Sequence, residues 1–172
     1  MKSLFYFKCL LILVMASPTL HAQYYLELSP ALMNVDTTEG TTKPWLVDIR
    51  LGYSKPQYQL ELAVMSGVAD DSLNQLTVNV PSVTSLFYHY LPPINGSLKL
   101  HLILGASQVK VDSTYPGIAD LSDSFYGMSY GIGMEESFKS LPQLKLSLDW
   151  IQLYRGDQIN INTTSLGIHY EF

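Results

Sequence analysis

The chain of 172 residues contains one cysteine, Cys9, near its start. No disulfide framework can therefore hold the fold together. Charged residues make up only 15% of the chain, and the balance is acidic, at −5. That removes the basic patch that nucleic-acid binding requires. Beyond residue 22 no run of even twelve apolar residues occurs, so no transmembrane helix is expected. What the chain does have is apolar and aromatic: its mean hydropathy is positive and it carries twelve Tyr. Both facts fit a protein that meets lipid through strands.

The first 22 residues read as an export leader. Lys2 is followed by an apolar run from Leu4 to Met15, broken only by Lys8 and Cys9. Pro18 and the small Ala22 then supply a helix breaker and a cleavage site. The apolar run is too short to span about 30 Å of hydrocarbon, so cleavage after Ala22 is expected rather than anchoring. Cys9 precedes the end of that run, so it is not a lipid-attachment cysteine. Cleavage leaves 150 residues (172 − 22), Gln23 to Phe172, with no cysteine and a charge of −7 (8 − 15).

From Gln23 onward, alternation of apolar and polar residues recurs eight times, which is the period of a two-faced strand. Tyr24, Leu26 and Leu28 alternate with Tyr25, Glu27 and Ser29. Trp45, Val47, Ile49, Leu51 and Tyr53 alternate with Asp48, Arg50 and Gly52. Tyr58 to Val64, Leu86 to Tyr90, Leu98 to Ala106, Tyr126 to Met134 and Leu144 to Trp150 repeat the pattern, and Leu166, Ile168, Tyr170 and Phe172 end the chain with it. The phase changes near Pro81, which predicts a bulge there. Connections alternate between short ones with Pro or Gly (54–57, 91–97, 139–142) and longer ones rich in Thr, Asp and Ser (33–44, 66–75, 109–124). Arg155-Gly156-Asp157 is the one short connection on the long side.

Eight strands with alternating turns predict an all-β, antiparallel up-and-down barrel that closes on its last strand and leaves no free edge. Two arrangements share that pattern. A secreted ligand-binding barrel keeps its apolar face inside; a membrane barrel turns it to lipid. Aromatics at both ends of the apolar face favour lipid: Tyr24, Tyr53, Tyr58, Tyr90, Phe138 and Phe172 at one end, and Trp45, Tyr126 and Trp150 at the other. So do the glycines of the polar face (Gly52, Gly105, Gly127, Gly131, Gly133, Gly167), which a crowded interior needs and a wet surface does not.

The polar face is then the interior. It carries Glu27, Asp48, Glu61, Glu135, Asp149 and Glu171, against Arg50, Lys99 and Lys145, with His89, His101 and His169. Enclosed charges must be paired. Pairing Tyr53 with Tyr58 across the 54–57 turn sets Arg50 opposite Glu61, and Glu135 and Lys145 are related in the same way across the 139–142 turn. The expectation is a plug of structural ion pairs built from Glu27, Asp48, Arg50, Glu61, Lys99, Glu135 and Lys145.

The leader, the Gly-rich stretch Tyr126 to Glu135 and the terminal Leu166 to Phe172 resemble the small OmpA-like and OmpX-like outer-membrane barrels of Gram-negative bacteria. That resemblance implies the bacterial outer membrane as location, with lipid and lipopolysaccharide as surroundings. It also implies recognition of Leu166, Ile168, Tyr170 and Phe172 by the barrel-assembly machinery and passage by periplasmic chaperones. A structural, surface-contact or adhesion role follows from it, with a host or surface ligand held by the long loops. The peptidoglycan-binding domain of larger relatives is not expected, since the sequence stops at Phe172.

A lipid-modifying enzyme of this shape needs a His and Ser pair facing lipid, but the three histidines that follow the leader, His89, His101 and His169, are in the inward phase, so no catalytic residue, metal or cofactor is expected. A narrow path for small or apolar solutes is the alternative to a sealed barrel, because eight strands leave an interior just filled by side chains. Arg155-Gly156-Asp157 is the tripeptide that integrins read, although Gly-Asp is also ordinary turn chemistry.

Overall fold

The computed structural model describes residues 23–93 and 96–172; the proposed leader and its cleavage bond lie outside the described residues. Eight long strands run in chain order: β1 (Gln23–Thr37), β2 (Trp45–Lys55), β3 (Tyr58–Ala69), β4 (Leu76–Tyr90), β5 (Leu98–Thr114), β6 (Leu121–Phe138), β7 (Leu141–Arg155) and β8 (Ile159–Glu171). Each pairs antiparallel with the next, and β8 returns to β1 from Tyr25↔Glu171 to Thr37↔Ile159. The sheet is thus a closed eight-stranded barrel. The amide of Phe172 donates to the Tyr24 carbonyl at 2.9 Å, fastening the last residue into the wall.

Closing the barrel requires a stagger. Following paired residues once around, from Tyr58 through Tyr90, Leu102, Ile132, Trp150, Thr164, Leu32 and Trp45, returns to β3 at Ala69, eleven residues further on (69 − 58). One of these is a bulge beside Trp45. A ten-residue stagger over eight strands tilts them about 40° from the axis. β4 slips register between Asn79 and Ser82, around Pro81, so that Val80 and Val83 both face inward.

The connections differ from the sequence reading at the long end. There the strands continue into the segments read as loops. Gly40–Thr42 pairs with the end of β1, and Asp71–Leu73 pairs with the start of β4. The hairpin tips shrink to Thr38-Glu39, Asn74-Gln75 and 115–120. Backbone groups beyond the wall still need partners, and the hairpin supplies them. Asn74 and Gln75 both have positive φ, 50° and 70°, the two-residue turn whose twist matches its strands. The long end is therefore built of stiff hairpins.

Alternation sorts the side chains as expected on the outside. Leu26, Leu51, Leu62, Leu86, Leu104, Ile132 and Ile168 are all exposed on the outer surface. Near the short-turn end, outward rings touch: Tyr24 on Tyr53 (5.6 Å), Tyr58 on Tyr88 (6.0 Å) and Tyr170 on Phe172 (5.4 Å). The inside has two tiers, where the sequence reading had one. The charged residues fill the half near the short turns. The half near the long hairpins is apolar, with Met33, Leu46, Met65, Val80, Ile151 and Leu153 in one buried cluster. The phase is unbroken between tiers: on β1 the inward series Tyr25, Glu27, Ser29 simply continues as Ala31, Met33, Val35. Three inward serines on β4, β5 and β6 form a chain, with Oγ atoms of Ser85 and Ser107 2.7 Å apart, and those of Ser107 and Ser129 2.6 Å apart.

Candidate functional site: the enclosed charge cluster and the hairpin end

Inward parity on β2 brings Arg50 to the middle of the charged tier, fully buried. Its Nε donates to Asp48 at 2.6 Å, one Nη to Asp149 at 2.5 Å and the other to Ser165 at 2.9 Å. Glu61 lies 3.5 Å away and Glu27 3.7 Å away. One guanidinium thus faces four carboxylates from β1, β2, β3 and β7. A planar group with five donors suits this position, where a lysine ammonium could not reach all sides at once.

The register that brings Arg50 near Glu61 is not the expected one. The β2–β3 turn has two residues, Pro56-Gln57, instead of four, so Tyr53 pairs with Leu60, and Glu61 sits opposite Gly52. Arg50 faces Ala63 across β3 and Glu27 across β1. It reaches Glu61 diagonally. A Cβ on Gly52 would fall 2.1 Å from the Tyr25 ring, so the bare glycine opposite Glu61 is where that ring lies. The β6–β7 turn behaves alike. Glu135 is paired with Ser147, and Lys145 reaches it diagonally at 3.1 Å while also bonding Glu171 at 2.5 Å. Lys99 is directly opposite Glu135 across β5–β6, but its ammonium stays 4.0 Å away and its side chain is 40% exposed at the short-turn mouth.

Each histidine stands on a carboxylate: His101 on Asp149 (2.8 Å), His89 on Glu61 (3.3 Å), and His169 between Glu27 (3.5 Å) and Glu171 (3.6 Å). All three are buried within the barrel. Among the described residues no group of three ligand-type side chains converges as a metal site. Sequence reasoning assigned no role to Tyr25, whose hydroxyl donates to Glu61 at 2.8 Å and whose ring stacks on His169 at 4.0 Å. It shares the parity of Glu27, which was the available signal.

Two recesses mark the ends. One of about 680 Å³ at the short-turn mouth is lined by Lys55, Lys99, Lys145 and Glu171, so it runs onto the charged tier. The other, about 440 Å³ at the hairpin end, is lined by Asp70, Lys110, Asp112 and Asp120. Between them lies the apolar tier. The terminal residues Leu166, Ile168, Tyr170 and Phe172 all point outward and are exposed.

Neither a protein-family model nor a curated protein matches the sequence. Solved structures do match in shape. Ail, the attachment invasion locus protein of Yersinia pestis, in complex with the heparin analogue sucrose octasulfate, is 17% identical over 89% of this chain and 100% of that one, with a TM-score of 0.64. Neisserial surface protein A is 15% identical over 88% of this chain and 99% of that one, with a TM-score of 0.65. The outer membrane protein AlkL, in DMPC lipid bilayers, is 11% identical over 91% and 93%, with a TM-score of 0.58. At such identities the likeness is one of architecture, and the architecture of this chain is that of the small eight-stranded outer-membrane β-barrels.

Proposed function

We propose that the chain is an integral protein of the bacterial outer membrane, a sealed scaffold that presents short hairpins at the cell surface for adhesion or envelope contact. The observation that carries this reading is the sorting of side chains on a closed wall: apolar residues outward all round, ion pairs inward. Such a surface in water would be an aggregation hazard; in lipid it is satisfied. Lipid and lipopolysaccharide are its surroundings. The barrel-assembly machinery and periplasmic chaperones would read Leu166, Ile168, Tyr170 and Phe172, and residues 1–22 would be removed on export.

The hairpin end carries Asp36, Glu39, Asp70, Asp71, Asp112, Asp120, Asp123 and Asp157 against Lys43, Lys110 and Arg155. That charge opposes direct binding of polyanions of the kind seen with Ail and favours a cationic or metal-bearing surface. Planar-bilayer recording on the refolded protein is the test of sealing. No steady single-channel current is expected; a stable current would overturn it.

A second reading has one observation in its favour. Pairing between β6 and β7 stops at Tyr130↔Gln152, beside the apolar tier, although β6 continues to Leu121. Apolar solutes could pass there into lipid. Uptake of an apolar dye into proteoliposomes above the rate of protein-free vesicles would support this reading over the sealed one.

A further inference from the structure

The turn between β7 and β8 consists of Gly156, Asp157 and Gln158, with Arg155 as the last residue of β7. It is closed by the Gly156 amide donating to the Ile159 carbonyl at 2.9 Å and by pairing of Arg155 with Asn160. Arg155 and Asp157 are both exposed, and neither takes part in an ion pair among the described residues. The turn has an aromatic backing. A Cβ on Gly156 would come within 2.8 Å of the Tyr154 hydroxyl, and the Tyr154 ring packs on Phe125 at 5.2 Å. One cation and one carboxylate, separated by a glycine, are thus offered to solvent on a tightly closed turn, at the end of the barrel opposite Gln23 and Phe172.

We infer that Arg155-Gly156-Asp157 is a recognition loop for a receptor that presents a divalent cation beside an acidic groove, the arrangement found in integrins. Asp157 supplies the hard oxygen ligand that completes the coordination of the cation. Arg155 supplies a planar guanidinium for bidentate bonds to receptor carboxylates. The acids that crowd this end fit a partner whose contact surface carries the metal. The inference deepens the surface-contact reading above and rests on it for placing this end outside the cell.

The test uses the full chain refolded in detergent micelles, so binding does not depend on insertion into lipid. The probe is a purified, immobilised integrin ectodomain that reads Arg-Gly-Asp peptides, in Mn²⁺ and again in EDTA. Saturable binding is expected in Mn²⁺ and none in EDTA. Asp157→Glu, which keeps the charge but lengthens the reach, is expected to weaken binding at least tenfold, whereas Asp123→Glu on the neighbouring hairpin leaves it unchanged. Gly156→Ala, which keeps both charges but disturbs the turn, is expected to weaken it as well. A protein that shows heat-shifted gel migration yet no Mn²⁺-dependent binding overturns the inference, as does equal binding by Asp157→Glu. Binding in micelles by a chain that fails to enter bilayers removes the membrane reading instead and leaves the recognition loop standing.

Discussion

Arg50 faces four carboxylates in a space closed to water above by the apolar tier, so its removal leaves uncompensated buried charge. Breaking such a cluster by deleting one partner costs about 3–5 kcal/mol. Arg50→Met is therefore expected to lower the urea midpoint of the folded barrel sharply, while Lys99→Met, at the half-exposed mouth pair, costs about 0–1 kcal/mol and moves the midpoint little. Similar midpoints for the two variants would show that the cluster does not hold the barrel. Gly52 offers a second probe without charge. Its added methyl would meet the Tyr25 ring, which is stacked on His169 and bonded to Glu61 and so cannot swing away freely. Gly52→Ala is expected to cost about 1–3 kcal/mol by overpacking, measured in the same urea series. Gly117, with open space around it, is the control; its φ of +81° makes Gly117→Asn the milder replacement.

At the scale of elements, strand number, direction and inward phase were legible because side-chain parity is a local property of the chain. Asp48, Arg50, Glu61 and Lys145 could be assigned to the inside on that basis alone. Register was not legible to the residue, since it depends on turn length. A two-residue turn at Pro56-Gln57 moves every β2–β3 partner by two positions from the expected alignment, which keeps the inward face but changes who sits opposite whom. The apolar tier is not legible either, since Met33, Met65 and Leu153 continue an inward phase that is mostly polar nearer the short turns, and Met33 falls in a stretch whose composition reads as a connection. The end of the β6–β7 ladder has its own cause. β7 carries an extra residue there, Leu153, between its pairs Gln152↔Asn162 and Tyr154↔Ile161, and the Gln152 side chain bridges this bulge by donating to the carbonyls of Tyr154 (2.6 Å) and Ile161 (3.0 Å). From Leu121 to Met128, β6 keeps only its β5 partner. Hydrogen exchange should reveal this edge: amides in 121–128 are expected to exchange on the order of tenfold faster than those in 130–136. Uniform protection along β6 would mean that the ladder is complete.

At the scale of the whole molecule, tilt and outward sequence together set the thickness of bilayer that the barrel suits. The outward apolar series runs from Trp45 to Tyr53 on β2 and from Leu98 to Ala106 on β5, eight residue steps in each case (53 − 45, 106 − 98). At about 3.3 Å per residue and a tilt of about 40°, eight steps rise roughly 20 Å, and side-chain reach brings the band close to the ~25 Å of outer-membrane barrels. Above it on β6 the outward residues turn polar at Ser124 and Ser122, and below it Glu136 is outward and exposed. A bilayer with a ~30 Å core must thin to meet these polar rims, at a fraction of a kcal/mol per Å. The refolded chain is therefore expected to insert more completely into vesicles of twelve-carbon lipids than into those of eighteen-carbon lipids, read as the fraction showing heat-shifted migration on a gel. Equal insertion into both would mean that the band is taller than the strand tilt implies, and that the stagger traced around the wall is wrong.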